Sequence, residues 1–266
     1  PWADQYTLSE NNGGFATTRG YKGNADITWE TSYNLNGGLD FSLFGERFGG
    51  TIEGYWRRTD DMLYYKPVAP CLGYSYLPVN VGSISNAGVE VELNGDVIST
   101  KNVTWSANLN MTHVANKVTA LADQYKNQTI EGYHGYIDGR YYVAEDLPLY
   151  SFYMREYAGV NEKGQSTWWQ DKLDENGNVT ERVQTTDYAN ATRYIQESAL
   201  PSVYGGFSTS ISAYGFDASI AFTYQLGGLV YDSGYAHFMA SPYSSLVGSN
   251  YHKDILNSWS ADNTES

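Results

Sequence analysis

The sequence predicts an all-β protein, part of the wall of a large antiparallel transmembrane β-barrel, with about six long spanning strands plus extracellular hairpins and loops. Three observations lead there. Apolar and polar residues alternate over runs of about eleven residues. The runs pair through short turns at one end and are joined by long connections at the other. Aromatics and glycine are abundant, with 25 Tyr, 7 Trp, 9 Phe and 27 Gly among 266 residues, a composition suited to strands and turns.

The first run extends from Tyr33 to Phe44 and places Tyr33, Leu35, Leu39, Phe41 and Leu43 opposite Asn34, Asn36, Asp40 and Ser42. After the Gly45-Glu46-Arg47 turn, Phe48, Gly50, Ile52, Gly54 and Trp56 oppose Gly49, Thr51, Glu53, Tyr55 and Arg57. The third run, Gly88 to Ile98, sets Val89, Val91, Leu93 and Val97 against Glu90, Glu92, Asn94 and Asp96. A Ser99-Thr100-Lys101-Asn102 turn leads to Val103, Trp105, Ala107, Leu109 and Met111, with Thr104, Ser106, Asn108, Asn110 and Thr112 on the other face. Val203 to Ala213 and Phe216 to Leu226 form the last pair across Tyr214-Gly215.

Soluble strands are most often ~5–6 residues long, whereas a tilted membrane strand needs roughly 9–11. None of the seven prolines falls within a run, as an uninterrupted hydrogen-bonded ladder requires. The long connections, about 30 and about 88 residues, lie at the end opposite the short turns, the asymmetry of an outer-membrane barrel. Six strands do not enclose a lumen, and open edges find no hydrogen-bond partner in lipid. Together with an opening Pro1-Trp2-Ala3 and a polar finish from Ala261 to Ser266, this leads us to expect 1–266 to be a segment of a barrel domain, with other strands outside it.

In the connections, Tyr150 to Val160 and Gln165 to Gln170 read as a hairpin around Asn161-Glu162-Lys163-Gly164. Asn176-Gly177 reads as a second tight turn, and Asn250 to Trp259 as a short surface helix.

Charge and cysteine exclude several functions. Sixteen Lys and Arg against thirty Asp and Glu give a formal charge of −14, which argues against a nucleic-acid partner. Cys71 is the only cysteine, so neither an internal disulfide nor a multi-thiolate zinc site is available. His113, His134, His237 and His252 lack metal-ligand spacing. No phosphate-binding glycine loop, nucleophile elbow or Ser-x-x-Lys pair occurs. We therefore expect no enzyme activity, no cofactor and no metal. Asp171 to Asn178 superficially suggests a calcium loop. Setting Gly177 at its sixth position puts Lys172 first and Val183 twelfth, where carboxylates are needed.

Glu90, Glu92 and Asp96 are expected to face the lumen beside Asn94. Trp105, Phe207, Tyr214, Phe216 and Tyr224 are candidates for the aromatic girdles at the membrane boundaries. The candidate substrate-binding residues are loop aromatics, Tyr133, Tyr136, Tyr141, Tyr142, Trp168 and Trp169, because flat rings stack on the C–H faces of sugars. The competing reading is that they pack the loops together. Asp123, Asp138 and Arg140 are candidate polar contacts.

Several segments in order resemble the SusC-like (SusC/RagA-type) TonB-dependent outer-membrane transporters of Bacteroidetes-type bacteria. They begin with Thr28-Trp29-Glu30-Thr31, Gly38-Leu39-Asp40-Phe41-Ser42-Leu43-Phe44 and Tyr55-Trp56-Arg57-Arg58-Thr59. The most specific is Asn80-Val81-Gly82-Ser83-Ile84-Ser85-Asn86-Ala87-Gly88-Val89-Glu90. Tyr157-Ala158-Gly159-Val160, Pro201-Ser202-Val203-Tyr204-Gly205-Gly206-Phe207 and Phe222-Thr223-Tyr224-Gln225-Leu226-Gly227-Gly228 follow. Ala87 departs from the family pattern, which often has a basic residue there.

The resemblance implies a plug domain and a TonB-contacting segment outside this stretch, and an outer-membrane location. It also implies a SusD-like surface lipoprotein as partner, TonB-coupled energy, and oligosaccharide or peptide cargo. A soluble all-β carbohydrate-binding or adhesion module, and a TonB-dependent siderophore or vitamin receptor, are the competing functions. A soluble module has to cover the apolar rows by packing a second sheet on them.

Overall fold

A computed structural model of the chain describes residues 2–11, 13–239, 248, 250–260 and 263. It divides into two compact units. The first comprises Pro1–Asp138, Tyr142–Tyr150 and Leu200–Gly228, and the second Gly139–Tyr141, Ser151–Ala199 and Leu229–Ser266.

The first unit is built on a six-stranded antiparallel sheet whose strands follow one another in chain order. We number them β1 (Thr31–Leu43), β2 (Phe48–Asp60), β3 (Gly82–Ser99), β4 (Val103–Leu121), β5 (Val203–Ala213) and β6 (Phe216–Leu226). All six expected strands form. β5 and β6 have the expected bounds, joined by Tyr214 and Gly215 at φ 52° and 86°, both left-handed as a tight twisted hairpin requires. β3 and β4 exceed expectation, because Gly82 to Ala87 pairs with Ala115 to Leu121 beyond the alternating stretch. A bulge between Ser83 and Ile84 breaks the period there, which hid the extension from periodicity.

Register turns the alternation of each strand into rows across the sheet. Phe41, Gly50, Leu93, Leu109, Phe207 and Phe222 are successive partners in one row. The adjacent row, pointing to the other face, runs Asp40, Thr51, Glu92, Asn110, Gly206 and Thr223. The apolar face is bare: Leu39 is 64%, Phe222 54% and Ile220 51% exposed. A soluble sandwich buries such a face.

One expected position needs correction. A second bulge between Asp96 and Ile98 makes Ile98, not Val97, the ladder partner of Trp105. The alternation of β3 therefore slips by one residue at Val97.

The buried core of this unit is small and sits at the far end of β4. Val118, Leu121 and Val143 form it, with Tyr136 and Leu149 packed alongside. The chain near Leu147 is tied to Val118 by backbone bonds of 2.9 Å in both directions, from Val118 N–H to Leu147 O and from Asp146 N–H to Val118 O. Three hairpins not expected from sequence also lie in this unit, one of them Gln128–Ile130 with Tyr133–Asp138. Gln5–Asn11 pairs with Gly14–Tyr21, and Leu63–Pro67 with Tyr76–Asn80.

In the second unit, Tyr157–Val160, Ser166–Leu173 and Val179–Thr185 make a three-stranded sheet. The turns at Asn161–Gly164 and Asn176-Gly177 form as expected, with Gly164 and Gly177 at positive φ. The expected first hairpin arm divides, however. Ser151–Arg155 turns away and pairs with Arg193–Ser198 instead, leaving only Tyr157–Val160 for the Asn161 hairpin. Local alternation does not reveal this, because the partner lies some forty residues downstream. The expected helix between Asn250 and Trp259 is a 3₁₀ segment, Lys253–Asn257. An additional short helix, Ser233–Phe238, is capped by Asp232, whose Oδ1 accepts the Tyr235 N–H at 2.7 Å. Of the polar run Ala261 to Ser266, only Asn263 lies within the described residues. Among those residues no helix is long and apolar enough to cross a membrane.

Candidate functional site

The polar face of the six-stranded sheet is acidic. Glu53 of β2 stands directly opposite Glu90 of β3, Glu92 lies between Thr51 and Asn110, and Asp96 is opposite Ser106. Asn36 donates to Glu53 at 2.7 Å and Thr51 to Asp40 at 2.7 Å. Among the described residues, no ion pair neutralises these carboxylates. The register gathers Glu90, Glu92 and Asp96 on one face of the sheet.

Gly88 sits beneath the Tyr55 ring on this face. A Cβ there would lie 2.3 Å from the His113 carbonyl oxygen and 2.7 Å from the Tyr55 hydroxyl. Gly82 is equally constrained at φ 150°, where a Cβ would press on the Ala120 oxygen. Both glycines belong to the Asn80–Glu90 motif, and both are demanded by close backbone approach.

The candidate loop aromatics divide by environment. In the first unit Tyr142 is fully buried, and its hydroxyl donates to the Tyr133 and Gln128 carbonyls at 2.8 and 3.1 Å. Its ring is therefore a packing element rather than a surface platform. Tyr133 lends its backbone to that contact and is half-buried. Tyr136 packs its ring 5.3 Å from Tyr125. Burial, with the nearby Asp138 charge, pushes its phenol up to about 12. Lys66 rests 5.3 Å above the Tyr125 ring.

In the second unit Tyr141 stacks on Phe152 at 4.9 Å. Trp168 and Trp169 are neighbours in sequence but lie on opposite faces of their strand. Trp168 meets Tyr157 and Tyr188 edge-on at 6.3 and 5.1 Å. Trp169 is covered by the Arg182 guanidinium at 4.8 Å. Arg182 also pairs with Glu156 at 2.7 Å, which raises its pKa further. Arg140, a candidate polar contact, lies 3.9 Å from the Tyr231 ring. Asp123 reaches Lys126 at 3.5 Å.

The Asp171–Asn178 stretch is a turn built on Asp174. Its Oδ1 accepts the Asn176 and Asn178 amides at 2.9 and 2.8 Å. These donors hold the carboxyl below the usual range.

Sequence reading missed two polar anchors. Asn80 fixes the entry segment at Thr28, and the Glu145 carboxylate accepts the Leu121 N–H at 2.9 Å while pairing with Lys126 at 3.0 Å. Asn80 opens the most specific motif in the sequence, but its residue type gives no sign of the distant backbone groups its side chain meets.

These features meet in one comparison. Residues 2–231 match the family described as TonB dependent receptor-like, beta-barrel. The chain belongs to that family. Among its TonB-dependent relatives is the receptor SusC of Bacteroides thetaiotaomicron, 27% identical over 87% of this chain and 22% of SusC. The TonB-dependent receptor P3 of Formosa agariphila is 27% identical over 91% of this chain and 24% of its own length. A solved structure of the RagAB peptide transporter superposes with a TM-score of 0.76 at 27% identity, covering 99% of this chain and 28% of that one. The chain thus spans about a quarter of the length of these relatives. The SusC-like resemblance carried by the motifs is borne out, and so is the β-barrel fold class.

Proposed function

We propose that the chain is a section of the barrel wall of an outer-membrane active transporter that imports oligosaccharides or peptides. The bare apolar face, set on strands of 11 to 19 residues, supports this reading most directly. It suits contact with lipid, while the acidic opposite face suits a watery lumen. In this reading a SusD-like surface lipoprotein shares the cargo, and TonB supplies energy through a segment outside this chain. Within the first unit we assign the Tyr133 and Tyr136 rings to cargo contact, supported by Tyr142, and within the second, taken by itself, the Tyr141 and Trp168 rings, supported by Trp169.

Membership in the TonB-dependent family supports transport over a soluble binding module. The similarity to SusC and RagAB favours oligomeric cargo over a siderophore or vitamin. The test is membrane fractionation of the native receptor followed by uptake assays with neutral oligosaccharides and short peptides, with and without TonB. Outer-membrane location and TonB-dependent uptake of one cargo class are expected. Recovery in the soluble fraction, or uptake indifferent to TonB, would overturn the proposal.

A further inference from the structure

In the second unit, Arg155 and Arg193 are direct partners in the ladder between Ser151–Arg155 and Arg193–Ser198. Opposed residues of an antiparallel pair hold their Cβ atoms roughly 4.5–5.5 Å apart on one face, where like charges repel. Both residues are half-buried, so water screens them incompletely. Among the described residues neither has a carboxylate within ion-pair distance, in a chain with thirty acidic residues against sixteen basic ones. The contrast lies one position along the chain, where Glu156 pairs with Arg182 at 2.7 Å.

The two guanidiniums are held in place by rings instead. Arg155 lies 4.2 Å from the Tyr188 ring centre, and its Nε donates to the Ala191 carbonyl at 3.2 Å. Arg193 lies 5.8 Å from the Tyr153 ring. Tyr188 sits on a turn pinned by Asp187, whose Oδ1 accepts the Ala189 N–H at 2.9 Å. Cation–π contacts orient a guanidinium without discharging it, and the Nη donors of both forks remain unused among the described residues.

We propose that Arg155 and Arg193 form a binding site for a carboxylate, and that the carboxylate is the C-terminal group of a cargo peptide. The inference rests on the transporter reading and narrows its cargo. Arg155 leans toward Tyr188 and Ala191 and Arg193 toward Tyr153, so a carboxylate seated between them meets one fork on each side and relieves their repulsion. Every peptide carries such a group, so the site recognises peptides without reading their sequence. A neutral sugar offers nothing that rewards two adjacent cations.

The experiment uses the receptor purified as the full native polypeptide and an N-terminally labelled Ala-Gly-Ala-Gly-Ala peptide, as free acid and as C-terminal amide. The free acid is expected to bind at least about 10-fold more tightly than the amide. Arg155→Gln and Arg193→Gln are each expected to remove about that factor for the free acid and leave the amide unchanged. Both variants should retain wild-type barrel yield, since each removes one of two repelling charges. Arg155→Lys should recover part of the loss. Equal binding of acid and amide, or glutamine variants within twofold of wild type, would overturn the carboxylate site. So would an oligouronate held through these arginines in place of the peptide. A receptor that still binds and imports oligomers in those cases keeps the transporter reading, whereas one that binds and imports none refutes both.

Discussion

Asn80 engages both polar groups of the Thr28 backbone. Its Oδ1 accepts the Thr28 N–H at 2.9 Å, and its Nδ2 donates to the Thr28 carbonyl at 3.1 Å and to the Asp61 carbonyl at 2.6 Å. One side chain thus fixes the chain entering β1 to the chain leaving β2. Asn80→Ala is expected to loosen both segments at a cost of about 1–2 kcal/mol. Amide hydrogen exchange at Thr28 and Met62 should rise with no change at β5 and β6. Unchanged exchange at Thr28 would show that the entry segment is held by something else.

Val91 lies in the apolar row with Leu39, Ile52 and Met111. If that face meets lipid, Val91→Arg costs ~2–4 kcal/mol near the midplane and lowers the yield of folded, heat-modifiable barrel. Glu92→Gln, one residue on and facing the opposite way, should leave the yield intact. A reversed pattern would invert the assigned orientation.

Gly88→Ala is expected to destabilise β3 by roughly 1–3 kcal/mol through overpacking. Combining it with Tyr55→Ala should restore little, because the His113 carbonyl oxygen still lies 2.3 Å from the new Cβ. Full rescue in a double-mutant cycle would assign the constraint to the tyrosine ring instead of the backbone.

The Leu121 amide, first, and Lys126 hold the Glu145 carboxyl below its ordinary value. A lowered folded pKa means stability that is present above the unfolded value near 4.5 and lost as pH falls through the folded one. Protection of the Leu121 amide, taken against its intrinsic exchange rate at each pH, should therefore fall on acidification below pH 4.5. In Glu145→Gln it should already be low at neutral pH and respond less to acid.

Tyr142→Phe should leave the Tyr133 and Gln128 carbonyls without their buried donor, costing about 1 kcal/mol. It should alter local exchange around 128–133 and leave cargo affinity within twofold. A large change in affinity with unchanged exchange would return Tyr142 to the cargo surface.

The wall was legible because each strand's period of two is a local property. Leu39 and Asp40 declare their faces with no knowledge of their neighbours, and turn chemistry at Tyr214-Gly215 fixes the register of β5 on β6. The same logic failed wherever a bulge shifted the period, at Val97 and near Ser83, because one inserted residue reverses every later side chain. It failed again for Tyr150 to Val160, whose first half pairs with a strand far along the chain.

By itself the sequence determined the class of the protein: long alternating strands, short turns at one end, an apolar face opposite an acidic one, and ordered family motifs. Those signals are local in the chain, and hydrophobicity and backbone geometry write them directly. Only tertiary structure decided which aromatics are buried, which face each indole takes, and that Arg155 meets Arg193 across a ladder. Such contacts join residues tens of positions apart, and side-chain type does not encode the partner that register supplies.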